Sequence, residues 1–492
     1  MTLPKVQNKI SITLLIAFFI FITFLLLKGA PGNFFNYQEV RRVSSSEVVK
    51  ERFLISPFEA SRVRSIYFTA TSIINKGTFF ISKQEADTAS TDSGVYKGKY
   101  LSWAPPGTAL SIIPLLFFGS FLNIGQFLSF STIALFAACS LYLIYKISTD
   151  LLKQSKEEAI FSSFIFGFAT LCLPYSTTIF QHNIGVCLLL FTIFSLSKKD
   201  FLKYLSCLLV GLSPLIDYPL LVICSPVFIA IQFVFFRNIN YKKNIISILC
   251  FLTGISFVCF NNYLLFENPF QATNTIIQHK KFSESYLRQH EDNILEYKND
   301  IKNIFLIERL PEGMYKLLLD KSKGLLYFSP VLLFSIISVL KSRKKITWLL
   351  ISIVIINILL YSTFGDPWGG WSFGPRYLLP AMAILAMFTA GSFIKIRNNL
   401  FLTILFCITL LLSILNNVAG ALTTILIPKN IDTTYFMIKN YEYVLQGKTA
   451  SMFINNVIKT NSVTTFFWVV ILLIILLGTQ IMISLHRKHA LQ

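Results

Sequence analysis

The sequence predicts an all-α polytopic membrane protein, a bundle of about twelve transmembrane helices carrying a large helical first outer loop. Three observations predict it. Of 492 residues, 54% are hydrophobic and 14% charged, and the mean hydropathy is +0.62, far from the norm for soluble domains. Apolar runs of about 18 to 22 residues recur along the chain, the length a helix needs to cross a bilayer core. Short Lys/Arg clusters follow many of those runs, the mark of membrane topology. A β-barrel would instead show alternating segments of about ten residues. The net charge of +20 lies largely in such flanks and in long loops, so it argues against a nucleic-acid partner.

The predicted spans are 10–28, 125–146, 159–175, 183–197, 202–216, 218–236, 244–265, 326–341, 346–364, 377–394, 399–416 and 464–485. The first run is longer than a signal-peptide core, and Lys28-Gly29-Ala30-Pro31 makes a poor cleavage site. It reads as a retained helix with Lys5 and Lys9 in the cytoplasm. Thr108 to Leu122 is apolar but short, and is expected to lie along the outer surface. Counted as a crossing, it would turn every later basic cluster outward. With twelve spans, the clusters Lys146/Lys153/Lys156, Lys198/Lys199/Lys203, Arg237/Lys242/Lys243, Lys341/Arg343/Lys344/Lys345, Lys395/Arg397 and Arg487/Lys488 all face inward, and both termini are cytoplasmic. The plasma membrane is the expected location.

Segments 29–124, 266–325 and 417–463 then face outward, with short outer links around 176–182, at Asp217 and at 365–376. The chain divides into a transmembrane module, 1–416, which includes outer loops 29–124 and 266–325, and a closing part, 417–492, of outer loop plus last helix. All eight cysteines sit in apolar spans and behave as small hydrophobes; no disulfide framework or metal site is indicated. The middle of each span lacks Asp, Glu, Lys, Arg and His, groups that ion-coupled transporters usually carry at mid-membrane. Polar chemistry gathers on the outer face, which favours a surface active site over a conduction path.

Along that face, "SPFEASRVRSIYFTATSIINKG" (56–77) reads as an amphipathic helix closed by Gly77. Ser56-x-x-Glu59 has capping-box spacing, so Glu59 is either a cap or a free carboxylate. Arg62 follows on the same helix. "TDSGVYKGKYLSWAPPG" (91–107) supplies Asp92, a Gly98-Lys99-Tyr100 turn and a Pro-Pro-Gly break. His182 stands at the start of one outer helix and Asp217 at another, where each could be structural. Residues 365–380, "GDPWGGWSFGPRYLLP", combine glycines that permit close backbone approach with Trp368 and Trp371, suited to an interface or to sugar stacking. Arg376 offers a fixed fork of donors matched to phosphate, and Tyr377 follows it.

In order, these pieces resemble bacterial membrane proteins grouped with the GT-C glycosyltransferases. The chain is similar in organisation to aminoarabinose and protein O-mannosyl transferases, and closer to an uncharacterised bacterial subfamily. The blocks that carry the resemblance are Asp92 with Gly98-Lys99-Tyr100, Pro106-Gly107, Tyr175-Ser176-Thr177…His182, Asn268-Pro269-Phe270, Tyr327-Phe328-Ser329-Pro330 and Gly369-Gly370-Trp371-Ser372-Phe373-Gly374-Pro375-Arg376-Tyr377. They run from about residue 56 to 394, and the last is the most specific. The sequence departs from the family at Trp103-Ala104, where Asp-Lys is usual, and at Lys99, where histidine is usual.

The resemblance implies a polyprenyl-phosphate sugar donor, an acceptor that is a glycan, lipid or protein, and a membrane-lipid setting. Inverting transfer is implied, with no cofactor and no metal. It assigns Glu59 or Asp92 as base, Arg376, Arg62 and Lys99 to the donor phosphate, and His182, Asp217, Tyr100, Trp368, Trp371 and Tyr377 to substrate. Two other functions fit a chain of this kind. An O-antigen polymerase or ligase would use the basic loop 266–325, and a lipid-linked-sugar flippase would need polar groups within the spans.

Overall fold

The computed structural model describes residues 4–29, 58–90, 92–237, 239–279, 304–365, 369–370, 372–426 and 436–489. Each of the twelve predicted spans contains helix. Helix α1 (Pro4–Leu25) leads into the long segment 29–124, which holds α2 (Ser61–Lys76), α3 (Lys83–Thr88) and α4 (Gly107–Phe121). There follow α5 (Gly125–Asp150), α6 (Lys156–Ala169), α7 (Cys172–Ser176), α8 (His182–Ser195), α9 (Asp200–Leu212), α10 (Leu220–Arg237) and α11 (Tyr241–Phe266). Segment 266–325 contains α12 (Leu310–Leu318), and after it come α13 (Leu325–Phe328), α14 (Ser335–Leu340), α15 (Lys345–Ser362), α16 (Leu379–Ile396), α17 (Leu400–Leu422), α18 (Phe436–Leu445) and α19 (Ser462–His489). Six of the described helices are long and apolar enough to cross a membrane: α5, α10, α11, α15, α16 with its leading turn, and α17. One apolar core runs through the bundle from Ile12 to Leu473.

Several predicted spans are shorter or broken, each for a local reason. At 326–341 the α-helix stops at Phe328, a 3-10 helix spans Pro330–Phe334 and the α-helix resumes at Ser335, because Pro330 lacks a donor and forces Ser329 out of helical geometry (φ −142°, ψ 60°). The polar groups this break exposes are met by α17. Asn416 Nδ2 donates to Tyr327 O at 2.8 Å, Asn417 Nδ2 to Phe328 O at 3.0 Å, and Ser413 Oγ accepts from Val331 N at 3.2 Å. Irregular backbone survives at membrane depth only with such partners.

Helices in lipid associate by close packing rather than by expelling water, so small residues mark their contacts. Where α9 crosses α11, a Cβ on Gly211 would stand 2.3 Å from Phe251 O, and one on Gly254 would stand 2.5 Å from Leu208 O. The two backbones touch. Gly211→Leu is expected to separate them at a cost of about 1–3 kcal/mol, read as a lower unfolding temperature of the detergent-solubilised protein. An unchanged temperature would show that the crossing has slack.

The long loops 29–124 and 266–325 differ from the expectation of helix alone. Strands β1 (Phe80–Ile81), β2 (Ser93–Tyr96), β3 (Lys99–Ser102) and β4 (Ile277–Gln278) form an antiparallel sheet in the order β1-β3-β2-β4. Lys97 and Gly98 both take positive φ, 46° and 77°, as a two-residue hairpin turn requires. The turn thus lies one residue earlier than Gly98-Lys99-Tyr100. β4 comes from segment 266–325, so the two loops share one sheet. Tyr96 OH donates to Phe266 O at 2.7 Å, and His279 Nε2 lies 2.8 Å from Asp87 Oδ1.

Candidate functional site

Glu59 is not a helix cap. Helix α2 begins at Ser61, its N-cap Ala60 provides no side-chain hydrogen bond, and Ser56 lies outside the described residues. The Glu59 carboxylate instead turns inward and forms an ion pair with Lys28, both side chains fully buried. Its second oxygen accepts from Thr424 Oγ1 and, at 3.1 Å, from Ile425 N. Lys28 N donates to Thr177 O at 3.1 Å, and Ser451 Oγ donates to Leu25 O at 2.9 Å. One buried pair therefore joins the end of α1, the start of α2 and the segment after α17.

Removing one partner of such a pair strands a buried charge and costs about 3–5 kcal/mol. Lys28→Met and Glu59→Gln are each expected to lower the unfolding temperature sharply, and Lys28→Met with Glu59→Met to recover much of the loss. If the double variant were no better than the singles, the pair would not act as a unit.

Two residues on, the chain opens to solvent. Ser61 Oγ donates to Asp92 Oδ2, and Arg62 Nη1 lies 3.7 Å from Asp92 Oδ1. Both charged side chains are about one-fifth exposed, at 18% and 21%. The hairpin holds Asp92 from its own side, because Asp92 N donates to Ala89 O at 3.0 Å and Trp103 N to Asp92 O at 2.8 Å. Arg62 also reaches across to the bundle, where its Nε donates to Gln181 Oε1 at 3.2 Å. Gln181 hydrogen-bonds Asp217, and Tyr361 OH donates to Asp217 Oδ2 at 3.2 Å.

Arg376 completes the group. Its guanidinium stands 5.1 Å from the Phe180 ring centre and 5.3 Å from that of Tyr377. Tyr377 stacks on Tyr361 at 4.4 Å and meets His182 edge-on at 5.8 Å. His182 Nε2 and Arg376 Nε are buried atoms with no hydrogen-bond partner among the described residues. Gln181, His182, Asp217, Tyr361 and Tyr377 line a small cavity with room for about one water.

Asp217 lies in the link between α9 and α10. Burial raises its carboxyl above the ordinary value of 3.8, while Arg62, Tyr361, Arg376 and Gln181 pull the other way. A carboxyl raised on folding binds its proton more tightly in the folded state. Stability is therefore lost as pH rises from the unfolded value through the folded one. Asp217→Asn is expected to unfold at a higher temperature than the parent at pH 7, with the gain vanishing near pH 4. A loss at pH 7 would mean that the two arginines outweigh burial.

The loop that presents Arg376 is shaped by glycine and by a buried lysine. Gly369, Gly370 and Gly374 take φ of 71°, 66° and 61°. A Cβ on Gly369 would also lie 3.1 Å from Arg376 Nε, so this position requires glycine twice over. Lys323, 5% exposed, donates from Nζ to Gly370 O at 2.9 Å and to Ser372 O. Tyr175 OH donates to Phe373 O at 2.9 Å, and Asn357 Nδ2 to Tyr377 O at 3.1 Å.

Arg62, Asp92, His182, Asp217, Arg376 and Tyr377 thus come together. Lys99 and Tyr100 do not join them. Lys99 is at the far tip of the hairpin, over the Phe80 ring, and Tyr100 packs edge-on against His279 at 5.1 Å. Trp368 and Trp371 lie outside the described residues. Gln181, Tyr361 and Lys323 were not singled out by sequence. Gln181 and Tyr361 stand at apolar-run ends next to named residues, but only the fold shows that they connect Arg62 to Asp217.

Neither a family model nor a curated protein matches the sequence. Among solved structures, the chain is similar to ArnT from Cupriavidus metallidurans bound to undecaprenyl phosphate, with a TM-score of 0.47 and 9% identity over 88% of this chain and 70% of that one. Apo ArnT gives a TM-score of 0.44 and 8% identity over 78% of this chain and 64% of that one. The apo oligosaccharyltransferase of Archaeoglobus fulgidus gives 0.34 and 10%, over 77% of this chain and 51% of that one.

Proposed function

We propose that this chain is a GT-C-type membrane glycosyltransferase that moves a sugar from a polyprenyl-phosphate donor to an acceptor at the outer face of the plasma membrane. The observation that carries this reading is the line of groups Asp92, Arg62, Gln181, Asp217 and Tyr361, with Arg376 beside it, at one end of an apolar bundle. It sets a solvent-facing carboxylate next to two guanidinium groups, which suits acid–base work beside an anionic leaving group.

The acceptor oxygen forms its bond to the sugar C1 as the bond from C1 to the phosphate oxygen breaks, and the lipid phosphate leaves with that electron pair. Asp92 takes the acceptor's proton; Ser61 and Arg62 hold its carboxylate in place. A positioned base contributes about 10²–10⁴ in rate. Arg62 and Arg376 balance the charge that gathers on the phosphate, the electrostatic contribution that counts most where water is thin. Their bidentate forks fit its oxygens. Asp217, held by Gln181 and Tyr361, keeps the two cations apart and oriented. Glu59 is a scaffold residue in this reading, since its carboxylate is enclosed with Lys28.

In membranes supplied with a polyprenyl-phosphate-linked sugar, Asp92→Asn and Arg376→Ala are each expected to lower transfer by about 10²–10⁴ at wild-type insertion. Full activity in both variants would remove the reading. Movement of the lipid-linked sugar across the bilayer with no transfer to any acceptor would point to a flippase instead.

A further inference from the structure

A second polar cavity lies at the opposite end of the bundle. Helix α16 begins beside Arg376 and runs 18 residues to its last turn at Lys395, a length of about 27 Å. There a cavity of about 260 Å³ opens between the α5–α6 connection, the α14–α15 connection and the end of α16. Lys153, Lys341, Arg343, Lys344 and Lys395 line it, with Glu158 the single carboxylate. That carboxylate is already engaged, accepting from Ser155 N at 2.7 Å in the capping box of α6.

Topology alone explains basic residues at this end. It does not explain their state. Elsewhere on the same end, Lys198 pairs with Asp150 at 2.7 Å and Lys243 with Asp200 at 2.7 Å. Among the described residues no carboxylate forms an ion pair with any of the five cavity cations. Two of them are fixed by neutral acceptors: Lys344 Nζ donates to Leu152 O, and Lys395 Nζ to Ser338 Oγ at 3.0 Å. Those bonds hold the charges without neutralising them, and Lys395 feels repulsion from Lys341 and Lys344 as well as the pull of Glu158. A concave, low-dielectric wall concentrates such a field. Gly391 keeps the wall bare, since a Cβ there would meet Ser338 Oγ at 2.9 Å and Gln154 Nε2 at 3.2 Å.

We propose that this cavity binds a phosphate-bearing anion, with the headgroup of an anionic phospholipid as its nearest source. Leu340 and Trp348, close to the cavity in sequence, are 80% and 64% exposed, apolar surface that acyl chains would cover. The site is independent of the reaction proposed at the other end.

The test uses the full chain in nanodiscs of equal phosphatidylglycerol and phosphatidylcholine, with retained lipid read by native mass spectrometry. The parent is expected to retain phosphatidylglycerol in preference. Lys341→Gln with Lys395→Gln is expected to weaken that retention by roughly thirtyfold. Arg237→Gln with Lys242→Gln removes the same charge away from the cavity and is expected to leave retention unchanged. Circular dichroism of each variant confirms its helical fold. A parallel thermal-shift arm adds inorganic phosphate and glycerol 3-phosphate to detergent-solubilised protein. Stabilisation there that the cavity variant loses, without phosphatidylglycerol preference, names a soluble phosphate as the source. Equal loss of retention in both charge variants, or neither lipid preference nor phosphate stabilisation in the parent, overturns the proposal.

Discussion

The buried ion pair between Lys28 and Glu59 is the constraint on which the candidate-site end of this bundle depends. It brings together residues 28, 59 and 424–425, three stretches far apart in the chain. Two charges out of water are tolerated only with tight pairing and further hydrogen bonds, and here Thr424 and Ile425 supply them. The consequence is positional. With Glu59 fixed, Ser61 and Arg62 emerge two and three residues later on the open side of α2, facing Asp92. The Glu59 carboxylate is thereby an anchor closed on Lys28, while the Asp92 carboxylate beside Arg62 is in part open to solvent.

A second layer of polar contacts aims the rest. Lys323 grips the carbonyls of Gly370 and Ser372, Tyr175 holds Phe373, and Asn357 holds Tyr377. Each of these donors satisfies backbone that the glycine-rich loop leaves without a regular ladder. Because the loop is clamped from below, Arg376 projects from a rigid frame against Phe180 and Tyr377. Asn416, Asn417 and Ser413 repair the interrupted helix at Ser329-Pro330 by the same logic.

Much of the fold was legible because a bilayer imposes one strong rule, an apolar run of fixed length, and all twelve spans hold helix where that rule placed them. The hairpin was less visible. "SGVYKGKYLS" does carry a Lys97-Gly98 turn between short strands, yet four-residue strands give little periodicity. In the site, His182, Asp217 and Arg376 were readable as charged or titratable groups at the ends of apolar runs, and Arg62 and Asp92 as charged groups in the loop 29–124. The partner of Glu59 was not readable: Ser56-x-x-Glu59 has the spacing of a cap, and nothing local announces that a lysine 31 positions earlier will claim the carboxylate. Lys28 itself looked like an ordinary flank. Gln181, Tyr361 and Lys323 gain meaning only from partners distant in sequence, which no local pattern encodes.

The most direct test of the central claim is an experimental structure of the full chain with a polyprenyl phosphate bound. The account predicts phosphate oxygens within hydrogen-bonding distance of both Arg62 and Arg376, with Asp92 facing the same space and Glu59 still closed on Lys28. A phosphate seated at Lys99, or held against a Glu59 released from Lys28, would contradict it.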